Sequence, residues 1–550
     1  MNEVQPPRRR WIKWLVLPGI IMGLLVGLHM YKDELASRAL HSVARVSEQA
    51  GHRITFGGVH VSILHAHIRL TDLDVTSMAD STVEDSAVRY TVHAEAIDLR
   101  GVDLLALFQR KVLHVSRIEL HAPSVAHSFI TRTAQPTKRE RPAPETTVAK
   151  VPLDLVRVDT LLIVDATGRS QDRASTHPML SIADLDLLLA GITVEQDDNG
   201  MPLPRVEHID LNLHQAEAHI PPYYTLVLDS VHIRIPQDTA VIFGLRFTPD
   251  VSPKEYHKHV TVQVELYKAT VDSLMLTGFD LNAKLVGGAT RAKALHVAGV
   301  AVDIHRDKTV PLPEEQKLKP LIADRVTAWR VPISVDSVHV RRGSVRYHER
   351  LQLGADYGSL AFTDISGHVT GLSNEPVDEP EDLHLVGRAR VGQAQAQLDL
   401  RMPMQRDHTH VTTHLLLLNF PAREMNRMTD DLLHVNATAG ILHRVEMHMK
   451  GDEDRATGTL EMRYEDLHLE IAPTVKHAWV FNKVANAVVR TTNMPGNKNY
   501  RTGRFTVERR KTSGIFNYIW ISLRTGMMEV VLPPRLLDQM KKKQKKKKKG

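Results

Sequence analysis

The chain has 550 residues, which is enough for roughly three or four domains of ordinary size. Hydrophobic residues make up 42% and charged residues 24%, so the chain can bury a sizeable core and lacks the composition of a disordered protein. The formal net charge is +6, but twelve basic residues lie in the two terminal segments and the remainder is mildly acidic. A mildly acidic body argues against a nucleic-acid partner, since phosphate binding needs clustered basic side chains. The absence of cysteine excludes thiol catalysis, disulfides and iron–sulfur clusters.

The N-terminal region predicts a membrane anchor over residues 14–31. The run WLVLPGIIMGLLVGLHM carries no Asp, Glu, Lys or Arg and is near the minimum length that spans a bilayer. Trp11, Trp14 and Tyr31 flank it, where aromatic rings favour the membrane interface. The basic segment 1–13 precedes it, so the positive-inside rule places the N-terminus in the cytoplasm and the bulk of the chain outside. A cleaved signal peptide is the alternative, and the following YKDELASRALHS offers no good small-x-small cleavage site for it.

Residues 32–51 keep a helical stripe of apolar side chains and end at Gly51. We interpret this segment as a helical stalk, with a short helix packed against the first strands as the alternative. From His52 to about Glu470 the chain instead shows short alternating runs rich in Val, Ile, Leu and Thr, punctuated by Gly, Pro, Asp and Asn. The expected fold is therefore mainly β, an elongated, curved antiparallel sheet built from repeats with a few short helices.

A short motif recurs along this β region. Val158–Ile163 reads VDTLLI, and related hexapeptides follow at Leu228, Val271 and Val335, with looser forms elsewhere. Apolar positions recur every second residue on one face of a flat strand, but each motif contains one interval of three. One extra residue at a fixed place predicts a β-bulge, and a corner between two strands is the alternative. The acidic residues at these predicted bulges are Asp72, Asp159, Asp184, Asp229, Asp272, Asp336 and Asp466.

A longer duplication overlies the motif. LHVSRIELHAP begins at Leu113 and LHVAGVAVDIH at Leu295, and each is followed by a polar, proline-containing linker and a Val-Pro pair. Two copies of a roughly 180-residue segment suggest stacked repeats rather than independent globules. The predicted divisions are a first β repeat unit over 52–200 with a linker at 131–150, and a second over 201–375 with a linker at 307–330.

The remaining segments are a C-terminal β section over 376–472, a helix with terminal strands over 473–540, and a lysine-rich tail over 541–550. The tail would be disordered by self-repulsion. Docking on an anionic surface through Lys541, Lys542, Lys543 and Lys545 and a purely solubilising tail are equally compatible with its sequence.

Three stretches resemble the AsmA-like family of Gram-negative envelope proteins. They are GGVHVSILHAHIRLTDLDV (Gly57–Val75) after the anchor, LLALFQRKVLHVSRIELHAPSVAHSF (Leu104–Phe129), and the closing ATGTLEMRYEDLHLEI (Ala456–Ile471). The resemblance implies a single-pass bacterial inner-membrane anchor with the bulk of the chain in the periplasm. It also implies a curved β-sheet with an apolar inner face and a role in cell-envelope biogenesis or intermembrane lipid transport. The family offers no catalytic motif to transfer.

No motif in the sequence indicates catalysis. The 31 histidines include the pairs His65/His67 and His408/His410, each on one strand face, but no HExxH, EF-hand or other complete ligand set accompanies them. No GxSxG or phosphate-binding loop is present, and an acid recurring in every repeat indicates structure rather than chemistry. We expect no enzyme activity, no cofactor and no metal, with a histidine-dependent metallohydrolase as the weakest hypothesis.

The apolar strand face is the remaining candidate. If the sheet stays open as a groove, acyl chains of phospholipids or other envelope lipids can fill it, each buried CH₂ contributing about 0.8 kcal/mol. If it closes on itself, the same residues form an ordinary core, and the protein is better read as a periplasmic scaffold or assembly factor that binds outer-membrane or periplasmic proteins. The candidate groove-lining residues are Leu113, Val115, Ile118, Leu120, Leu161, Ile163, Val231, Ile233, Leu274, Leu276, Val300, Val302, Val338 and Val340.

Overall fold

The structure, a computed structural model, describes most of the β region and the C-terminal helix. The described residues are 52–62, 65–77, 89–103, 112–129, 155–175, 177–196, 202–280, 289–350, 356–375, 381–404, 410–426, 435–471 and 490–532. The predicted basic segment, membrane anchor, stalk, first linker and lysine tail lie outside them, together with Trp11, Trp14 and Tyr31. Within the described ranges, no helix has the length and apolar character needed to cross a membrane.

The fold is mainly β and divides into two compact units. Unit 1 contains the described residues up to His219 together with His232–Pro236, and unit 2 contains Ile220–Val231 and the described residues from Gln237 onward. Most of the second repeat unit and the C-terminal β section, between which we predicted a boundary at 375, therefore belong to unit 2, whereas the described residues 202–219 and 232–236 of that repeat belong to unit 1.

Unit 1 consists of short and long strands without an α-helix among its described residues. Its strands are β1 (His52–Thr55), β2 (Gly58–Ser62), β3 (His67–Ser77), β4 (Arg89–Val102), β5 (Val112–His121), β6 (Ser124–Phe129), β7 (Leu155–Asp172), β8 (Leu180–Gln196), β9 (Pro202–Arg205) and β10 (His208–Ile220), whose last residue falls in unit 2, and part of β11 (Tyr224–Ile235).

The described residues of unit 2 form the rest of β11 and the remaining strands, with two α-helices and two single-turn 3₁₀ segments. The strands are β12 (Thr239–Pro249), β13 (Glu265–Thr277), β14 (Thr290–Ala298), β15 (Ala301–Asp307), β16 (Ile333–Arg350), β17 (Gly358–Ser373), β18 (Leu383–Val391), β19 (Ala394–Met402), β20 (Val411–Pro421), β21 (Val435–Gly451), β22 (Arg455–Ile471) and β23 (Thr502–Glu508). The helices are α1 (Ile322–Thr327) and α2 (Ile515–Val531), and the 3₁₀ segments are Tyr256–Lys258 and Ala422–Met425.

Most strand pairs are antiparallel, as expected, but the described part of each unit also contains one parallel step, in which two short strands pair in parallel with one long strand. In unit 1, β5 and β6 both pair in parallel with β7, and in unit 2, β14 and β15 both pair in parallel with β16. A parallel return needs a long connection, and polar segments of more than a dozen residues precede both β7 and β16.

The two parallel pairings have the same offset between paired residues. Val112 is opposite Leu155 in unit 1 and Thr290 is opposite Ile333 in unit 2, which is the same separation along the chain. The order of pairing from β3 to β8 matches that from β12 to β17, with one long strand facing two short strands end to end. These segments are the ones that carry the sequence duplication.

The dense core lies in unit 2, between the last strands and α2. Met447, Leu460 and Tyr464 are fully buried there, with one face of α2 packed against β22 and β23. The buried positions of α2, including Ile515, Ile519 and Ser522, recur at intervals of three or four, as expected of a helix that packs along one side.

The segment predicted as the linker 307–330 is not detached from the sheet. It contains α1, and Leu321, Ala323 and Val326 are buried in the same core. Polar and proline-rich composition indicated a flexible excursion, but a short apolar turn within it is enough to anchor the segment.

Candidate functional site

Two of the recurring acidic residues of unit 2 face glycines of the neighbouring backbone. Asp229 lies against Gly244, and Asp272 lies against Gly299; both glycines have positive φ, at 62° and 66°. A Cβ at Gly244 would lie 1.8 Å from Asp229 Oδ2, and one at Gly299 would lie 1.9 Å from Asp272 Oδ2. Only glycine accommodates both the backbone conformation and the close carboxylate.

The predicted bulge is wrong for Asp159, Asp272 and Asp336, because the strand register is the same on both sides of each residue. The pairing places Gly191 opposite Asp159 and Gly371 opposite Asp336, and both glycines have positive φ. A glycine with positive φ in the partner strand therefore faces each of these two acidic residues. Because both strands are irregular at the same position, neither needs the extra residue of a bulge.

Register shifts do occur at two of the other predicted positions. The pairing of β7 with β8 shifts around Asp184, and that of β21 with β22 shifts around Asp466. Asp466 has a positive φ of 52°, and the buried residues Tyr464 and Leu467 on either side of it are three apart. Asp72 also has positive φ, at 50°, but its strand keeps a constant register with β4.

Basic side chains bind three of these recurring acidic residues. His114 Nε2 is 3.0 Å from Asp159 Oδ2, Arg246 binds the Asp229 carboxylate at 2.6 Å and 2.9 Å, and Arg342 lies 3.3 Å from Asp272. Partial burial tends to raise the pKa of Asp159, but the hydrogen bonds from His114 and Arg157 outweigh it and lower that pKa. These contacts support a structural role.

Two rows of apolar side chains cross unit 1 in the direction of the strand pairing. On each strand the rows are two residues apart, so they lie on one face of the sheet. The rows are Val61–Ile68–Leu99–Ile118–Leu161–Leu189–Ile209 and Val59–Leu70–Ile97–Leu120–Ile163–Leu187–Leu211. Four of the predicted groove residues, Ile118, Leu120, Leu161 and Ile163, fall in them.

Two corresponding rows cross unit 2. They are Ile242–Leu274–Val297–Val340–Gly367–Gly387–Leu398–Leu415–Met447–Leu460 and Ala240–Leu276–Leu295–Val338–Val369–Leu385–Leu400–Thr413–Met449–Gly458–Phe505. They include the predicted residues Leu274, Leu276, Val338 and Val340. We call the four rows the apolar rows.

The other predicted groove residues do not belong to these rows. Leu113 and Val115 pair with Val156 and Val158 across the parallel step, and Val115 is buried. Val302 pairs with Ala269 and Val345 in unit 2. Val300 lies between β14 and β15, and Val231 and Ile233 lie on β11; all three are half-buried.

The apolar rows are covered to different extents. In unit 1 most of their side chains are only half-buried, and the described part of that unit contains no helix to cover them. In unit 2, Leu274 and Val340 are also half-buried, whereas Met447 and Leu460 at the other end of the same row are fully buried beneath α2. The rows thus pass from an accessible apolar surface to a closed core within unit 2.

The opposite face of unit 2 carries histidines that meet across strands. The rings of His296 and His339 stack at 5.1 Å, and those of His414 and His448 stack at 4.4 Å. A pocket of about 780 Å³ on unit 2 includes His339 and His414 in its lining, with Asp399. These histidines were not singled out in the sequence, because the partners are distant along the chain; their shared alternation with apolar neighbours was the available signal.

Of the two histidine pairs noted in the sequence, the structure describes both members of one, His65 and His67, and does not bring them together as ligands. His65 contacts Ser62 Oγ, whereas His67 Nε2 is 2.6 Å from Asp98 Oδ1. Asp98 is almost fully buried; burial works to raise its pKa, but His67 and Arg69 outweigh it and the pKa is lowered. His408 lies outside the described residues.

Comparison with known proteins adds no assignment. The chain matches no protein-family model, and no match to a curated protein was found.

Proposed function

We propose that this protein is a non-enzymatic, inner-membrane-anchored component of cell-envelope biogenesis whose apolar rows bind lipid acyl chains and assist lipid transfer toward the outer membrane. The N-terminal apolar run tethers the chain, the bulk of the chain occupies the periplasm, and phospholipids or other envelope lipids are the bound molecules.

The observation that carries the proposal is the half-buried state of the apolar rows. A sheet normally packs its hydrophobic face against a second layer. In unit 1, residues such as Leu99, Leu161 and Leu189 follow one another across several strands, yet no described helix covers them. Acyl chains fit such a surface because hydrophobic burial is non-directional and requires no specific ligand residue.

The chemistry of the strands supports lipid binding over catalysis. Several of the acidic residues repeated through the strands are held by Arg or His, as Asp229 is by Arg246, and Asp229 and Asp272 face glycines of the backbone. A lipid on the apolar rows would need only contact with aliphatic side chains, while its headgroup remained in water.

The natural absence of cysteine makes a direct test possible. Leu161→Cys places a thiol in an apolar row, and Thr160→Cys places one on the adjacent residue, whose side chain points to the opposite face. Each full-length variant is labelled with a benzophenone maleimide, illuminated in native membranes, and analysed by mass spectrometry for covalently attached lipid.

We expect lipid adducts at position 161 and few or none at position 160. Equal labelling at the two positions would mean that lipid contacts are non-specific. Absence of adducts at position 161, in a variant that retains its fold by circular dichroism, would contradict lipid binding and favour the alternative of a scaffold that binds envelope proteins.

A further inference from the structure

A group of three potential metal ligands lies on the polar face of unit 2. His414 is on β20, and Glu446 and His448 are on β21; one ligand atom from each lies within 4.8 Å of the others. The register places His414 directly opposite His448. Because Leu415 and Met447 of an apolar row alternate with these residues, the group lies on the face opposite that row.

The distances between these ligand atoms lie on either side of the spacing expected between two ligand atoms of one bound ion. His414 Nε2 is 2.9 Å from Glu446 Oε1, and His448 Nε2 is 3.8 Å from the same oxygen. A tetrahedral zinc ion with bonds of about 2.0–2.1 Å separates neighbouring ligand atoms by about 3.4 Å. The two imidazoles are stacked with ring centroids 4.4 Å apart and planes 7° apart. Both rings must therefore rotate about their side-chain torsions before the two Nε2 lone pairs can point at one ion, and the terminal torsion of histidine is a broad one.

The second oxygen of Glu446 is already fixed. Arg444 Nε and Nη2 donate to Glu446 Oε2 at 2.9 Å and 2.7 Å, which leaves Oε1 directed toward the histidines. A contact of this kind orients a metal-binding carboxylate, as outer partners do at protein metal sites, although the positive charge of Arg444 also weakens attraction of a cation. The side chains of His414 and His448 are 42% and 62% exposed, so water can complete the coordination.

Among the residues that the structure describes, two other groups of three potential ligands come together, but neither suits a transition metal as well. One contains a single histidine and lies among three arginines, and the other is wholly acidic and surface-accessible. The groups are Asp98, Glu119 and His121, beside Arg69, Arg100 and Arg117; and Asp165, Asp184 and Asp186.

We propose that His414, Glu446 and His448 form a binding site for a divalent transition-metal ion, with Zn²⁺ as the fitting probe. Imidazole nitrogens suit Zn²⁺, Cu²⁺ and Ni²⁺, and two imidazoles with one carboxylate leave a fourth position open to solvent. The ion would join β20 to β21 on the face that the apolar rows do not use, so the site is independent of lipid binding.

The test uses the full-length chain without an affinity tag, treated with chelator and then titrated with Zn²⁺ alone. We expect one equivalent of tightly bound Zn²⁺ by competition with a chromogenic chelator, and a rise in the unfolding temperature because the ion binds only the folded state. His448→Ala should raise the Kd more than about 100-fold and abolish the temperature shift, since removing a ligand exceeds the loss from an outer partner.

The matched control is His443→Ala. His443 is on the same strand and is paired with Glu465 at 3.2 Å, but it does not belong to the three-ligand group. Zn²⁺ binding should be unchanged in this variant. Equal loss in both variants, or wild-type protein that binds no stoichiometric Zn²⁺, would overturn the proposal. Co²⁺ in place of Zn²⁺ gives a second readout, since its visible absorption must lose intensity in His448→Ala and in the more conservative His414→Gln.

Discussion

A carboxylate that faces a glycine recurs at positions where the backbone departs from regular strand geometry. At Gly299 the backbone has positive φ and the Asp272 carboxylate occupies the space where a side chain would begin. The glycine permits the chain direction to change, and Arg342 binds the exposed acid on its outer side. Residues from β13, from the connection between β14 and β15, and from β16 therefore stabilise this irregular backbone position.

Gly299→Ala should destabilise unit 2. A left-handed conformation costs a non-glycine residue about 1–2 kcal/mol, and the added Cβ would also displace Asp272. Chemical denaturation should show the loss as a lower midpoint. Gly387→Ala is the control, because Gly387 is not among the positive-φ residues and a Cβ there would meet only ordinary contacts at 3.8 Å. Equal midpoints for the two variants would show that Gly299 is not conformationally required.

His305 introduces a pH dependence in unit 2. Burial lowers the pKa of His305 from 6.5 to about 4, and the stacked His348 ring, 4.4 Å away, adds to this when it is charged. The unfolded chain therefore takes up a proton near pH 6.5 that the folded chain refuses until about pH 4. Stability should fall as the pH decreases through this interval.

The measurement is the denaturation midpoint at several pH values between about 7 and 4 for wild type and His305→Gln. The variant should show a shallower decline, because it no longer binds the proton on unfolding. His93→Gln serves as the control, since His93 is paired with Asp74 in unit 1. A wild-type decline that persists unchanged in His305→Gln would assign the pH dependence to other groups.

At the scale of strands and helices, the sequence predicted the alternation but not the choice of partners. Period-two patterning in β13 or β19 depends on neighbours along the chain, and these strands form as expected. Parallel pairing of β5 with β7 depends on how a long connection returns, which local patterning does not encode. We predicted a helix followed by strands over 473–540, and the helix α2 lies at Ile515–Val531, in the part expected to form strands. Small and polar residues of α2, such as Gly526, obscure its helical period.

The candidate sites likewise differ in how far the sequence predicted them. The apolar rows were partly predictable, since Leu161 and Ile163 stand out in their own strand. The group His414, Glu446 and His448 was not predictable, because His414 meets His448 only through the register of β20 with β21. Acyl-chain binding remains a prediction.

Helix α2 approaches the sheet through glycine. A Cβ at Gly526 would lie 2.8 Å from the Leu460 Cβ and 3.1 Å from Phe505 Cδ1. Gly526→Val should push the helix outward and cost about 1–3 kcal/mol, as overpacking does in other cores. Phe516→Ser on the same helix, at a side chain that is 68% exposed, should change stability by no more than about 0.5 kcal/mol. Denaturation midpoints compare the two, and a neutral Gly526→Val would contradict close packing of α2.

At the scale of the molecule, each unit combines an apolar face with a polar one, and in unit 2 the apolar face changes from accessible to covered. Val340 and Met447 belong to the same row, but only Met447 lies in the core closed by α2. A lipid that occupies the apolar rows should therefore contact the first position and be excluded from the second by protein.

Single cysteines at these two positions test that difference. In the otherwise cysteine-free chain, Val340→Cys should react readily with a maleimide in lipid-free protein and slowly once phospholipid vesicles are supplied, because acyl chains cover the thiol. Met447→Cys should react slowly in both conditions, since the side chain is fully buried. His339→Cys, on the opposite face from Val340, should react at one rate throughout. Vesicle protection at position 339 equal to that at 340 would mean that lipid does not distinguish the two faces, and no protection at 340 would leave the apolar rows without a lipid occupant.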